Sequence, residues 1–193
     1  MKKFFTLLLC TLCLIGCNKG DDPFAINDSK KSYEVGDLYS VGGVMGLVYK
    51  VSNGGKSGMI ISLHEPQSLL SWSTELTSTS ATSLSSGADN MAAITSSSSW
   101  SGKYPAFAWC KSLGEGWYLP AIDELKELAK VVNTQNFEKA IVKYAATPFA
   151  ANMRYLSSTE IDQYWVYLLN ISTNTQSGNY KQYTYNIRAV RAF

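Results

Sequence analysis

Strand-type segments lie at both ends of this chain and helix-type segments lie in its middle. That order restricts the fold more than any single motif. Val44 to Val51 is rich in β-branched residues, and Gly58 to Leu63 is a second apolar run. Between them stands Ser52-Asn53-Gly54-Gly55, and Asn-Gly and Gly-Gly tolerate the positive φ of a tight hairpin turn. In the C-terminal third, Tyr155 to Thr159 and "YWVYLLNIS" are strand-forming. "TNTQSGN" has the composition of a turn, and "YKQYTYNIRAVRAF" is the returning strand. Three helices are predicted in between. Pro105 opens the first, with Ala106, Trp109, Cys110 and Leu113 on one face and Gly114 or Gly116 stopping it. Pro120 leads into the second, whose buried stripe is Ile122, Leu125, Leu128 and Val132. Asp123 and Glu124 sit in its first turn, where the helix dipole favours them. The third runs from about Thr134 to Ala145, with Phe137, Ala140, Ile141 and Tyr144 on one side. This is an α+β order with antiparallel strands and two or three short helices, not βαβ alternation.

Glu65 to Lys103 differs in composition. Its Ser/Thr runs, "STELTSTSATSLSSG" and "TSSSSWSGK", bury little apolar surface and predict a long exposed loop region. Leu69, Leu70, Trp72, Leu76, Met91 and Ile94 are the residues expected to pin it.

The first 17 residues carry an address. Lys2 and Lys3 precede an apolar run from Phe4 to Ile15, too short to span a bilayer stably and suited to a secretory signal. The run ends in Leu14-Ile15-Gly16-Cys17, which resembles the lipobox of bacterial lipoproteins. The expectation is a signal peptide at 1–16, acylation at Cys17, and a lipid-anchored tether at 17–32. Two or more acyl chains hold a protein stably at a membrane. Asp21-Asp22 resembles an export signal to the outer face, so the expected location is the outer membrane, exposed at the cell surface. A single domain fills 33–193.

Cleavage removes two of the 17 basic residues and none of the 15 acids, leaving 15 of each sign and no basic footprint for nucleic acid. It also removes Cys10 and Cys13, and lipidation takes Cys17. Cys110 then stands alone and no internal disulfide can form. Packing must hold the domain together, and 46% hydrophobic residues with 12 Tyr and 5 Trp provide for it.

The blocks "GDLYSVGGVMGLVYKV", "GADNMAAI", "YPAFAWCKSLGEGWYLPAIDEL", "YLSSTE" and "NIRAVRAF", in that order, resemble the DUF1566 family, also called the Lcl C-terminal domain family. The resemblance covers residues 33–193. It implies a C-type-lectin-like fold in which the N- and C-terminal strands pair and a long loop region carries a binding surface. Members occur in bacterial surface lipoproteins and adhesin-like proteins. Many pair a cysteine of the first helix with one in the final strand; Cys110 matches the first, but Ala189 stands where the second would be. The calcium-and-sugar motifs of animal C-type lectins are absent, Glu65-Pro66-Gln67 being a near miss, so no metal and no cofactor is expected.

Two sets of residues follow. Trp117, Pro120, Ser157, Glu160, Arg188 and Arg191 are read as fastening points, with Glu160 available to pair with Arg188 or Arg191. Asn174, Gln176, Asn179, Tyr180, Gln182, Tyr183 and Tyr185 are read as the ligand-binding set, because Tyr gives rigid amphipathic area and Asn or Gln adaptable hydrogen bonds. The single histidine, His64, opens a loop and is assigned no catalytic role. The chain is expected to be a non-catalytic surface lipoprotein that recognises an extracellular glycan or protein. The alternative is a structural or assembly subunit of an adhesin or pilus-like complex.

Overall fold

The computed structural model describes residues 32–193. The expectations for the signal peptide, for Cys17 and for nearly all of the tether fall on residues 1–31, outside the described residues. Two antiparallel sheets and the helices between them make an α+β domain. The first sheet has the order β1-β2-β3-β9, from β1 (Leu38–Val41), β2 (Val44–Ser52), β3 (Ser57–Ile61) and β9 (Val190–Ala192). The β2–β3 turn has positive φ at three successive residues, Asn53, Gly54 and Gly55 at 49°, 64° and 81°, which accounts for the Asn-Gly-Gly signal. The last strand returns to this hairpin: Ile61 faces Val190 and Met59 faces Ala192. Tyr33, Tyr39 and Phe193 stack where the two ends of the domain meet, with centroids 4.7–5.2 Å apart.

The second sheet is β5-β6-β7, from β5 (Arg154–Glu160), β6 (Trp165–Asn170) and β7 (Thr175–Tyr180). A two-strand ladder joins β4 (Leu70–Ser71) to β8 (Thr184–Tyr185). The turn expected over "TNTQSGN" is therefore corrected. The chain turns at residues 171–174, where Asn170 Oδ1 accepts from the amides of Ser172 and Thr173 and Asn174 takes a φ of 54°. The rest of that stretch is a strand, because pairing with the aromatic and aliphatic β6 overrides its polar composition.

Helix α4 (Ile122–Val132) packs against β2 of one sheet and against β5 and β6 of the other. Its stripe of Ile122, Leu125, Leu128 and Val132 is buried. Helix α5 (Gln135–Lys143) contacts it, and α3 (Pro105–Ser112) packs on β4. In α3 the buried face is Ala106, Phe107 and Cys110, while Leu113 is exposed just past the helix end. Cys110 is free and fully buried, and burial pushes its thiol well above the ordinary range.

The Ser/Thr-rich region is more ordered than its composition predicts. It contains α1 (Gly87–Thr95) and the short α2 (Trp100–Lys103). Trp72, Met91 and Ile94 are buried as expected, but Leu69 and Leu76 are exposed and pin nothing. Ser86 caps α1 by accepting from Asp89 N at 3.2 Å. Glu124 ties α1 to α4: its Oε2 accepts from Ala121 N at 2.8 Å and from Gly87 N at 3.0 Å, and its Oε1 accepts from Tyr118 OH at 2.8 Å. Burial raises the Glu124 pKa and these three bonds oppose the rise.

Gly87 sits so close to this junction that a Cβ would lie 2.8 Å from Ala121 N and 2.8 Å from Glu124 Oε2, and closer still to Leu119 O. Helix propensity alone favours Ala over Gly by about 1 kcal/mol. Gly87→Ala is nonetheless expected to destabilise by about 1–3 kcal/mol, because the clash is with backbone. Gly102→Ala, with nothing within 4 Å of the new Cβ, is expected to be neutral or stabilising. Urea midpoints of the two variants test the contrast; equal shifts would refute it.

Candidate ligand-binding surface

Of the expected fastening residues, Ser157 and Glu160 lie in the C-terminal half of β5. Ser157, Ser158, Thr159 and Glu160 are all buried. Ser157 Oγ donates to Tyr167 O on β6, and Ser158 N donates to Pro120 O at 2.8 Å. Thr159 Oγ1 accepts from Ile122 N at 3.1 Å and donates to Ser83 O at 2.8 Å. It thereby does for α4 what the methyl of Ala121 at the cap position cannot. Asn90, buried on α1, donates to Ser158 Oγ and to Ser83 O. Buried Trp117 precedes Tyr118, which bridges Val190 of β9.

The expected pairing of Glu160 with Arg188 or Arg191 is corrected. Glu160 pairs with Lys181 at 3.0 Å, both side chains being almost wholly buried. It also accepts from Thr79 N and Thr79 Oγ1. Lys181 Nζ donates to Thr77 O at 2.8 Å and lies 4.7 Å from the centre of the Trp72 ring. Burial lowers the Lys181 pKa, and Glu160 opposes that. Arg188 is fully buried elsewhere. It donates to Ser62 O, Leu63 O and Thr147 O, pairs with Glu65 at 3.0 Å and lies over Phe149. Tyr155 OH donates to the same Glu65 oxygen. Glu160 is five residues along β5 from Tyr155, roughly 17 Å at about 3.3 Å per residue, so one carboxylate cannot serve both places. Arg191 donates instead to Glu115 O at 2.9 Å.

The seven expected ligand residues do not share one face. Asn174 and Gln176 are at the hairpin-turn end of β7, with Asn174 six residues and so roughly 20 Å of extended strand from Tyr180. Asn179 faces Val166 across the ladder, whereas Tyr180 faces Trp165, so successive side chains leave on opposite faces. Gln182 Nε2 is held by Thr74 O at 2.9 Å. Tyr185 is half-buried in the β4–β8 ladder. Of the seven, Tyr180 and Tyr183 are in contact, with ring centroids 5.7 Å apart.

What they join is an exposed aromatic platform. Trp165 stacks on Tyr180 at 4.8 Å with the rings 34° apart. Ile161 lies beside Trp165 over Gly178, where a Cβ would come within 3.0 Å of Ile161 Cδ1 and 3.3 Å of Trp165 Cε3. Ile161, Trp165, Tyr180 and Tyr183 are 39%, 36%, 40% and 57% exposed, which is unusual for four large apolar groups in one patch. The platform is rigid from beneath. Lys181, between the two tyrosines, points inward to Glu160, its amide donates to Tyr164 O, and its carbonyl accepts from Trp72 N and Ser73 N. Asp162 Oδ1 accepts from the amides of Tyr164 and Trp165 and fixes the turn that presents the indole. Sequence reasoning assigned Trp165 only to a strand and missed Ile161. The usable signal was a Trp opening a strand directly after the Asp162-Gln163-Tyr164 bend.

The sequence matches no protein-family model and no curated protein. A fimbrial protein from Bacteroides ovatus ATCC 8483 has a similar solved structure, with a TM-score of 0.55 and 18% identity over 70% of this chain. The matched region spans 36% of that protein's length. The likeness is one of fold.

Proposed function

We propose that this chain is a lipid-anchored, non-catalytic surface protein whose domain belongs among the C-type-lectin-like folds. Its aromatic platform stacks on a sugar ring of an extracellular glycan. The observation that carries this reading is the exposed, prearranged set of Ile161, Trp165, Tyr180 and Tyr183. Aromatic faces offer rigid apolar area with little entropy to lose on binding. Exposed Asp162 and Thr184, each next in sequence to a platform residue, supply polar groups. A screen of the domain on host and dietary glycans, in calcium and in chelator, tests it. Trp165→Ala and Tyr180→Ala are each expected to weaken binding at least tenfold, about 1.4 kcal/mol or more, with no change in chelator. Binding unaffected by either variant, or lost in chelator, would remove this site from the reading.

A second reading, that the chain is an assembly subunit of an adhesin or pilus-like complex, rests on a different observation. Strand β7 ends its sheet, and no other strand pairs with its outer edge among the described residues. Such an edge accepts a strand from another chain. The likeness in fold to a fimbrial protein agrees with it. A blank glycan screen with cross-links at β7 in the intact envelope would favour this second reading.

A further inference from the structure

A cleft of about 430 Å³ lies between α1, Lys111 of α3, the Gly116–Tyr118 segment and β9. It shares no residue with the aromatic platform. Met91, Trp117, Tyr118 and the small Ala88 and Ala92 give it an apolar lining, and Lys111 and Arg191 give it charge. The two cations are not equivalent. Lys111 is already paired with Glu115 at 2.8 Å. Arg191 Nε is held by Glu115 O at 2.9 Å, and its side chain lies against Gly116, where a Cβ would come within 2.8 Å of Nε. Its two Nη groups have no hydrogen bond or ion pair among the described residues. The guanidinium is thus oriented and its fork is open.

The strand edge supplies a third feature. Phe193 and Gly58 exchange both backbone bonds across the β3–β9 ladder, and Ser62 N donates to Ala189 O. In an antiparallel ladder the groups of alternate residues point the other way. Those of Val190 do, and they are taken by Tyr118 in both directions at 3.0 Å. Those of Ala192, itself a lining residue of the cleft, follow on the same side and have no partner among the described residues.

We infer that this cleft captures the carboxy-terminal residue of a peptide with an apolar side chain. The carboxylate meets the Arg191 fork in a charge-assisted, two-point bond. The peptide backbone extends the edge of β9 at Ala192, and the apolar side chain enters between Met91, Ala92 and Trp117. Strand addition and carboxylate capture are both common modes of peptide recognition.

The test uses the chain from residue 17 on with Cys17→Ser, which keeps every described residue. The probes are an acetylated tetrapeptide ending in leucine, as free acid and as C-terminal amide, followed by amide NMR shifts. The acid is expected to shift Gly116 and Ala192 saturably, and the amide to bind at least tenfold more weakly. Arg191→Gln is expected to erase that preference. Ala92→Phe, at an exposed helix position that leaves Arg191 intact, is expected to block both peptides. Equal binding of acid and amide, indifference to Ala92→Phe, or no saturable shift up to about 5 mM, an affinity near the weak limit, would overturn the inference. Binding of 4-phenylbutyrate as tight as that of the peptide would overturn the peptide form of it.

Discussion

Lys181→Ala is expected to destabilise the domain by about 3–5 kcal/mol, the cost of stranding one member of a buried ion pair. The replacement removes the ammonium that neutralises Glu160 and donates to Thr77 O, and it leaves the carboxylate buried with Thr79 as its one remaining donor among the described residues. It also removes the cation against the Trp72 ring, whose own Nε1 has no partner among the described residues. The pair itself need not be strongly stabilising, because desolvating two charges costs nearly what their attraction returns. Lys181→Met with Glu160→Gln is therefore expected to lose markedly less than Lys181→Ala alone. Urea unfolding of the three proteins decides the matter. A double variant as unstable as the single one would mean that the charges do not act as a pair.

Arg188→Lys is expected to cost a comparable amount, about 3–5 kcal/mol. One guanidinium reaches three backbone carbonyls and the Glu65 carboxylate, spanning residues 62–65 and the segment around Thr147. Its flat face also covers Phe149 at 4.4 Å. An ammonium is a point charge with three donors and cannot reproduce that planar fork. Arg188→Lys and Arg188→Ala should lie within about 1 kcal/mol of each other, because neither restores the planar fork. Rescue of most of the stability by Lys would show that charge, not shape, matters here.

These two basic residues also show where sequence reading stops. Strand pairing, the helix stripes and the Asn-Gly-Gly turn were legible because each follows a local period or a local φ requirement. The partners of Lys181, Arg188 and Glu160 were not, because they depend on which distant segments the topology brings to each end of β5. Helix α1 was missed for a related reason. Its buried face is Gly87, Asn90, Met91 and Ile94, and Gly and Asn carry no hydrophobic signal. Gly87 is there for close approach and Asn90 for its bonds to Ser83 and Ser158. At the surface, composition picked out Tyr180 and Tyr183, which the structure brings into contact. It could not separate them from Asn179 and Gln182, because strand alternation and one bond to Thr74 decide which side chains are free.

The segment from Thr77 to Ser83 is held almost entirely by its own main chain. Lys181 takes the carbonyl of 77, Glu160 the amide of 79, the Glu160 amide the carbonyl of 81, and Thr159 the carbonyl of 83. The grip falls on every second residue, and Ser78, Ser80 and Thr82 between them are exposed. A strap clasped this way does not read the side chains at those three positions. They form a display site on which sequence can be exchanged, by drift or by library design, without loosening the clasp beneath.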